Sequence, residues 1–206
     1  MASVHRARLA IAAAVAAGLL AAAPAAGQHY SDGYKFLNAV EKKDDAAVNE
    51  LLHKNGTLID ARDITTGRTA LHIAIDNREY VWLSFLLGKG ANPNIADKKG
   101  VTPLMLASQR GMVDAVNALA QSGAQVDQAN NTGETPLIAA VHRRDLAMLR
   151  ILLLAGADPD WNDNSGRSAR DYAALDGSTS QLLSEIERLA KVGGKSKPDE
   201  TYGPKY

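Results

Sequence analysis

Two sets of glycines, each recurring at a fixed interval, constrain this chain more than any other feature of its sequence. Gly67, Gly100, Gly133 and Gly166 form one register spaced by 33 residues; Gly90, Gly123 and Gly156 form a second with the same spacing. The stretch from Gly100 to Asn130 shows what lies between them. It opens with Gly-x-Thr-Pro-Leu and runs into a short apolar helix, Leu104 to Ser108. A break follows at Gln109–Gly111, then a second helix from Met112 to Gln121, which Gly123 ends. Thr135, Pro136, Leu137, Ala140, Ala157 and Asp160 repeat the pattern downstream, and Thr69, Leu71, Ala74, Ala91 and Asn94 repeat it upstream. A period of this length means small turn-helix-helix units stacked so that each buries its apolar face on its neighbours. The expected fold class is all-α.

Thr69-Ala70-Leu71-His72, and Thr-Pro-Leu at residues 102–104 and 135–137, resemble the signature of the ankyrin repeat family over roughly residues 34 to 192. The resemblance implies a solenoid of about five units, at about 34–66, 67–99, 100–132, 133–165 and 166–192, with polar terminal caps. After a polar lead-in at 28–33, the first unit lacks the turn and starts in a helix, Lys35 to Glu41, with Leu37 and Val40 buried. Its return helix runs from Ala46 to His53, and Gly56 is expected to stop it in a left-handed conformation. The second unit has a turn one residue longer, Asp63 to Gly67, and Ala70 where the family has proline. The last unit carries Ser168-Ala169-Arg170-Asp171 in place of the Thr-Pro-Leu-His core and reads as a cap. Its final helix is predicted to start at Ser178 or Thr179, with Leu182, Leu183, Ile186, Leu189 and Ala190 inward and Glu185, Glu187, Arg188 and Lys191 outward. Residues 193–206 read as a disordered tail.

The first 27 residues have another layout. His5, Arg6 and Arg8 give a positive start, Leu9 to Ala23 is an uncharged Ala-rich run, and Pro24-Ala25-Ala26-Gly27 supplies small residues. This is the pattern of a secretory signal peptide, cut between Ala25 and Gln28. The 15-residue apolar run is short for a spanning helix, which needs about 20 residues. An uncleaved leader tethering the stack to the inner membrane is the alternative. Cysteine is absent, which removes disulfides, thiol catalysis and thiolate metal sites and suits an oxidising compartment. Charge is balanced at 23 basic against 23 acidic residues, so nothing marks a nucleic-acid binder. Export to a bacterial periplasm is the expected localisation, and a monomer the expected state.

No H-E-x-x-H, G-x-S-x-G or phosphate-binding glycine loop occurs, so neither a cofactor, a metal nor an enzymatic activity is predicted. Asp97, Asn130 and Asp163 open the turns, where such side chains bond nearby backbone N–H groups. The resemblance gives His72 a structural role bonding the adjacent turn. Trp161 reads either as a buried strut against Arg170 or Tyr172, or as a binding anchor. The family's usual working surface is its turn tips and the concave inner face of its first helices. Carried onto this sequence, it comprises Thr65, Thr66, Arg68, Asp76 and Asn77; Lys98, Lys99, Val101, Gln109 and Arg110; Asn131, Thr132, Glu134, His142 and Arg143; and Arg167. Lys98, Lys99, Arg110 and Arg143 are expected to share one concave face that folding itself does not require, fitting an acidic protein partner. The resemblance thus implies a non-catalytic protein-binding module. An inhibitor or immunity protein blocking a toxin or enzyme, or an accessory factor in periplasmic stress resistance, are the alternatives.

Overall fold

The computed structural model describes residues 31–175 and 180–192. The leader at 1–27, the tail at 193–206 and a helix start at Ser178 or Thr179 lie outside those residues. Among the described residues ten α-helices follow in pairs: α1 Asp32–Glu41, α2 Asp45–Lys54, α3 Ala70–Asp76, α4 Tyr80–Gly88, α5 Pro103–Arg110, α6 Val113–Gln121, α7 Pro136–His142, α8 Leu146–Leu154, α9 Ala169–Ala174 and α10 Gln181–Val192. Among the described residues no β-strand forms; one antiparallel bridge joins Asn162 to Ser168. The odd-numbered helices pack successively on one another, α4, α6, α8 and α10 form a second layer, and each pair closes on itself. The protein is an all-α solenoid.

The first helix of each pair starts where the sequence supplies a cap. Thr102 Oγ1 accepts the Met105 N–H at 3.1 Å, and Thr135 Oγ1 accepts that of Ile138 at 3.3 Å. The following Pro103 and Pro136 sit at the first helical position, where a missing N–H is no loss. Between the layers Leu71, Ile75, Leu83, Leu86, Leu104, Leu119, Leu137, Met148 and Leu149 are fully buried. The core is therefore one continuous sheet of side chains running across unit boundaries.

The bend between paired helices needs one left-handed residue. Lys43, Arg78 and Arg144 supply it with φ of 58°, 56° and 55°, and in the third unit Gly111 does so at 71°. The Arg143 guanidinium lies against Gly111, and a β-carbon on this residue would come within 2.1 Å of Arg143 Nη2.

Three local expectations change. The first helix begins at Asp32, because the Ser31 hydroxyl accepts the Tyr34 N–H at 3.2 Å and caps it; the polar lead-in is shorter than expected. Gly56 does not stop α2. That helix ends at Asn55 in extended backbone, its side chain accepts the Thr57 N–H at 3.1 Å, and Gly56 opens a 3-10 turn to Asp60. Glu185 does not point outward. It is buried because Arg150 of α8 and Arg188 of α10 both close on its carboxylate, at 2.7 and 2.6 Å, and hold it down at about 2 in pKa, the Arg188 hydrogen bond contributing most. The same helix takes its cap from Ser180, whose hydroxyl accepts the Leu183 N–H at 3.3 Å.

Candidate interaction surface

Each turn is built around one acidic or amide side chain. Asp97 Oδ1 accepts the N–H groups of Lys99 and Val101 at 2.8 and 2.9 Å. Asn130 Oδ1 does the same for Thr132 and Glu134, and Asp163 Oδ1 for Ser165 and Arg167. At Asp163 such bonds favour the charged form: the Ser165 and Tyr172 hydroxyls hold it well below the usual carboxylate range. The turn of the second unit accommodates its extra residue by closing its N–H to carbonyl bond from Gly67 onto Asp63, four residues back rather than the three seen for Gly100, Gly133 and Gly166.

Successive turns are laced together. The Lys98 N–H donates to the Thr66 carbonyl at 2.9 Å, Asn131 to Lys99 at 3.0 Å and Asn164 to Thr132 at 3.1 Å. Side chains reinforce the lacing: Asn131 Nδ2 donates to the Lys98 carbonyl and Asn164 Nδ2 to that of Asn131. His72 adds a buried link. Its Nδ1 accepts the Thr69 N–H at 3.1 Å, which leaves Nε2 protonated and donating to the Val101 carbonyl of the next unit at 2.9 Å. Burial pushes the His72 pKa below its ordinary value, so the neutral ring is the folded form.

The predicted surface residues fall into two clusters on the face of turns and first helices. In one, Asp76 receives both Arg68 and Arg110, the latter at 2.7 Å, bridging the second and third units. Partial burial pushes the Asp76 carboxyl up, but the Arg68 hydrogen bond and the two positive charges outweigh it and bring it below the ordinary range. Arg68 Nε itself is buried without an acceptor. In the other cluster, Glu134 Oε2 accepts from Gln109 Nε2 at 3.0 Å, and Glu134 Oε1 lies 3.5 Å from His142 Nδ1. The His142 ring meets Tyr172 edge-on with centroids 4.5 Å apart, and the Arg167 guanidinium lies 5.9 Å from the Tyr172 centroid. Asn77 is exposed at the end of α3, and Lys99 is exposed, its ammonium without a hydrogen-bond or ion partner among the described residues.

The expectation that folding makes no use of Lys98, Arg110 and Arg143 is corrected. Lys98 Nζ donates to the Ile64 carbonyl at 2.7 Å, Arg110 binds Asp76, and Arg143 Nη1 donates to the Gln109 carbonyl at 3.2 Å. Each spans two units, because a long cationic side chain on one unit reaches a carbonyl or carboxylate of the unit before it. Arg78, which the sequence reading passed over, joins them by donating to the Arg110 carbonyl at 3.2 Å. Its mark in the sequence is its bend position, equivalent to Gly111 and Arg144. Trp161 is not a buried strut. It is 49% exposed and faces a shallow hollow formed with Gly156 and residues 125–129, apart from every other predicted surface residue.

A 33-residue turn-helix-helix period, laced turns and a His-linked threonine cap define a helical repeat protein of the interaction-module class. Two family models, described as ankyrin repeats (3 copies) and ankyrin repeats (many copies), match residues 36–130 and 119–173, together more than half of the chain. The chain belongs to the ankyrin repeat family. It is 47% identical over 55 residues to an ankyrin repeat protein of fowlpox virus, covering 27% of this chain and 16% of that one. It is 33% identical over 91 residues to the E3 ubiquitin-protein ligase XB3 of Oryza sativa subsp. japonica, covering 44% of this chain and 20% of that protein. A B-cell lymphoma 3 protein homolog of Mus musculus is 39% identical over 72 residues, or 35% of this chain and 16% of that protein. The chain thus spans no more than a fifth of the length of these relatives, and what is shared with them is the repeat.

Proposed function

We propose that this chain is a non-catalytic protein-binding module of the bacterial periplasm, and that its face of turns and first helices engages a carboxylate-rich surface on a protein partner. Ankyrin repeats generally serve protein–protein interaction, while the partner differs with the surface residues. The observation that carries the acidic partner is the kind of contact its arginines make. Arg78 and Arg143 rest on the adjacent carbonyls of Arg110 and Gln109, which are neutral groups, so their charge is not cancelled. Arg110 shares the single carboxylate of Asp76 with Arg68, and Lys99 stands exposed nearby along the turns. Such an excess steers encounter and selects partners more than it adds affinity. The positive start, apolar run and small residues of 1–27 support export, and the absence of cysteine suits it.

The test places a photo-crosslinking residue at Lys99 of the full chain in intact bacterial cells, with Asn117 on the exposed side of α6 as control. A partner with an acidic surface is expected to crosslink at Lys99, with a yield that falls as salt rises. Crosslinking at Asn117 alone would place binding on the wrong face. N-terminal sequencing of protein released by osmotic shock is expected to begin between Ala26 and Gln28; intact Met1 on cytosolic material would remove the periplasmic reading.

A further inference from the structure

The end of α5 gathers more positive charge than it pairs. The carbonyl of Arg110, its last residue, accepts the Arg78 guanidinium at 3.2 Å, and the carbonyl of Gln109 before it accepts Arg143 at 3.2 Å. The Arg110 guanidinium itself donates to Asp76 Oδ1 at the end of α3, 2.7 Å away, and Arg68 takes the other oxygen of that carboxylate. Four guanidinium groups are thus brought together from three units. Among the described residues Asp76 is the one carboxylate with which any of them pairs. Neighbouring acids are engaged elsewhere, Glu79 by Lys43 and Glu134 by Gln109 and Asn130.

Divided between two arginines, Asp76 completes neither. A guanidinium presents forked edges, and a carboxylate matches one edge best when it uses both of its oxygens. Here each arginine receives one oxygen only. Arg68 Nε is left buried without an acceptor, and the Arg110 side chain stays 50% exposed. Arg78 is exposed beside it and rests on a neutral carbonyl.

We infer that the end of α5 seats neighbouring carboxylates from an acidic segment of the protein partner, on Arg110 and Arg78, and that Asp76 is an internal competitor for that seat. Charge complementarity selects this occupant, since one carboxylate offsets only one of four cations. Asp76 acts in two opposed ways. It fixes Arg110, but through a single bond to a half-exposed side chain, which fixes it weakly. Its charge meanwhile opposes every incoming carboxylate and occupies an edge that one would take. The balance makes Asp76 a filter, because a lone carboxylate gains little by replacing it and a dense acidic run gains at both arginines. The assignment rests on the acidic-partner reading above and adds to it a seat and a selecting residue.

The experiment follows the arginine Nε–H signals of the full chain by NMR while acetyl-Gly-Glu-Glu-Glu-Glu-Gly-amide is added, at about 20 mM salt to keep screening weak. Saturable shifts are expected at Arg78, at Arg110 and at the side-chain carboxyl carbon of Asp76, with none from the peptide carrying Gln for Glu. Asp76→Asn keeps the shape and removes the charge, so it should tighten binding about fivefold, the effect of one charge at about 4 Å in water. Glu50→Gln removes an equal charge from the exposed side of α2 and should bind as the parent does. Arg78→Gln and Arg110→Gln should each weaken binding by a similar factor. Melting curves show whether each variant is folded, and the Asp76 carboxyl signal of the parent reports on the competition without any variant. Weaker binding by Asp76→Asn would make Asp76 a positioning residue and overturn the inference. Equal binding by the Gln peptide, a still Asp76 carboxyl signal, or no binding up to about 10 mM peptide would overturn it as well. Crosslinking of an acidic partner at Lys99 that persists while Arg78 and Arg110 stay unshifted would sink this inference and leave the acidic-partner reading standing.

Discussion

The two ends of the stack finish in different ways. At the first unit no turn stands before α1 among the described residues, α1 is capped by Ser31, and Ile64 on the neighbouring turn is exposed. At the fifth unit the turn is kept and the cap is rebuilt from charge. Asp171 takes over part of what His72 does in the second unit, accepting the Ser168 N–H at 2.9 Å. Arg170, which replaces a buried leucine, turns back to Asp160 at 2.8 Å, and Glu185 is held between Arg150 and Arg188. A stack's last helix must face water while still covering the unit beneath it. Ion pairs laid across the final helices meet both demands.

The largest effect should come from removing the closed end. Deleting residues 166–192 uncovers Met148, Leu149 and Leu152 on α8, all fully buried, since α8 packs on α10 and α7 on α9. Because each unit is supported only by its neighbours, the truncated chain is expected to aggregate or lose helicity. A monomeric, fully helical product in sedimentation and circular dichroism would contradict this.

A finer comparison sets an interior turn against the last one. Gly133 and Gly166 have nearly the same backbone, φ 78° and 80°. A β-carbon on Gly133 would lie 2.6 Å from the backbone nitrogen of Asn164, whereas one on Gly166 would meet nothing within 4 Å. Both alanine variants carry the left-handed penalty, about 1–2 kcal/mol. Only Gly133→Ala must also push the next turn away, so it should lose at least twice as much stability in urea unfolding. Equal losses would mean that the lacing between turns contributes nothing.

Much of this architecture was legible in the sequence, and what was not has a common cause. The glycine registers, the capping threonines and the turn-opening Asp97, Asn130 and Asp163 all act within a few residues, so local spacing reveals them. His72 was assignable because its motif carries its partner with it. The roles of Lys98, Arg110, Arg143 and Arg78 were hidden because their bonds run to carbonyls or carboxylates about one unit away in sequence. Glu185 was misplaced for the same reason. Helical period gives the face a residue starts from, but not that Arg150 reaches over from another helix to cover it. Trp161 was open between two readings because a loop residue has no periodicity to say whether it is covered.

Acidity should separate the interior link from the end caps. The pKa of His72 is lowered in the folded protein by burial, from an ordinary value of 6.5. Between those two values the unfolded chain binds the extra proton, so stability rises with pH through this window and falls as pH drops below 6.5. The melting temperature should therefore decline from pH 7 towards pH 5 (about the range in which an ordinary histidine titrates). His72→Asn should start less stable and show a flatter profile there. An unchanged slope would mean that another group titrates in its place.

The smallest effect tests the two ends against each other at lower pH. Glu185 at the closed end is drawn from 4.5 to about 2, by the Arg188 hydrogen bond first and that of Arg150 next. Asp32 at the open end is also lowered, from 3.8, by the Lys35 hydrogen bond first and by the charge of Lys54. For each carboxylate the folded value lies below the unfolded one. The stabilisation is therefore complete above the unfolded value and is lost as pH falls through the folded one. The two differ in reach. Lys35 lies on the same helix as Asp32 and Lys54 is 3.6 Å away on a side chain 70% exposed, whereas Arg150 ties Glu185 to a different unit. Exposed pairs of the first kind contribute little, since water and salt screen them. Glu185→Gln should then flatten the melting profile between pH 4.5 and about 2, and Asp32→Asn should leave it nearly unchanged. If the two variants shift the profile equally, the ionic closure of the last unit is no more than surface charge, and the contrast between the two ends reduces to the missing turn.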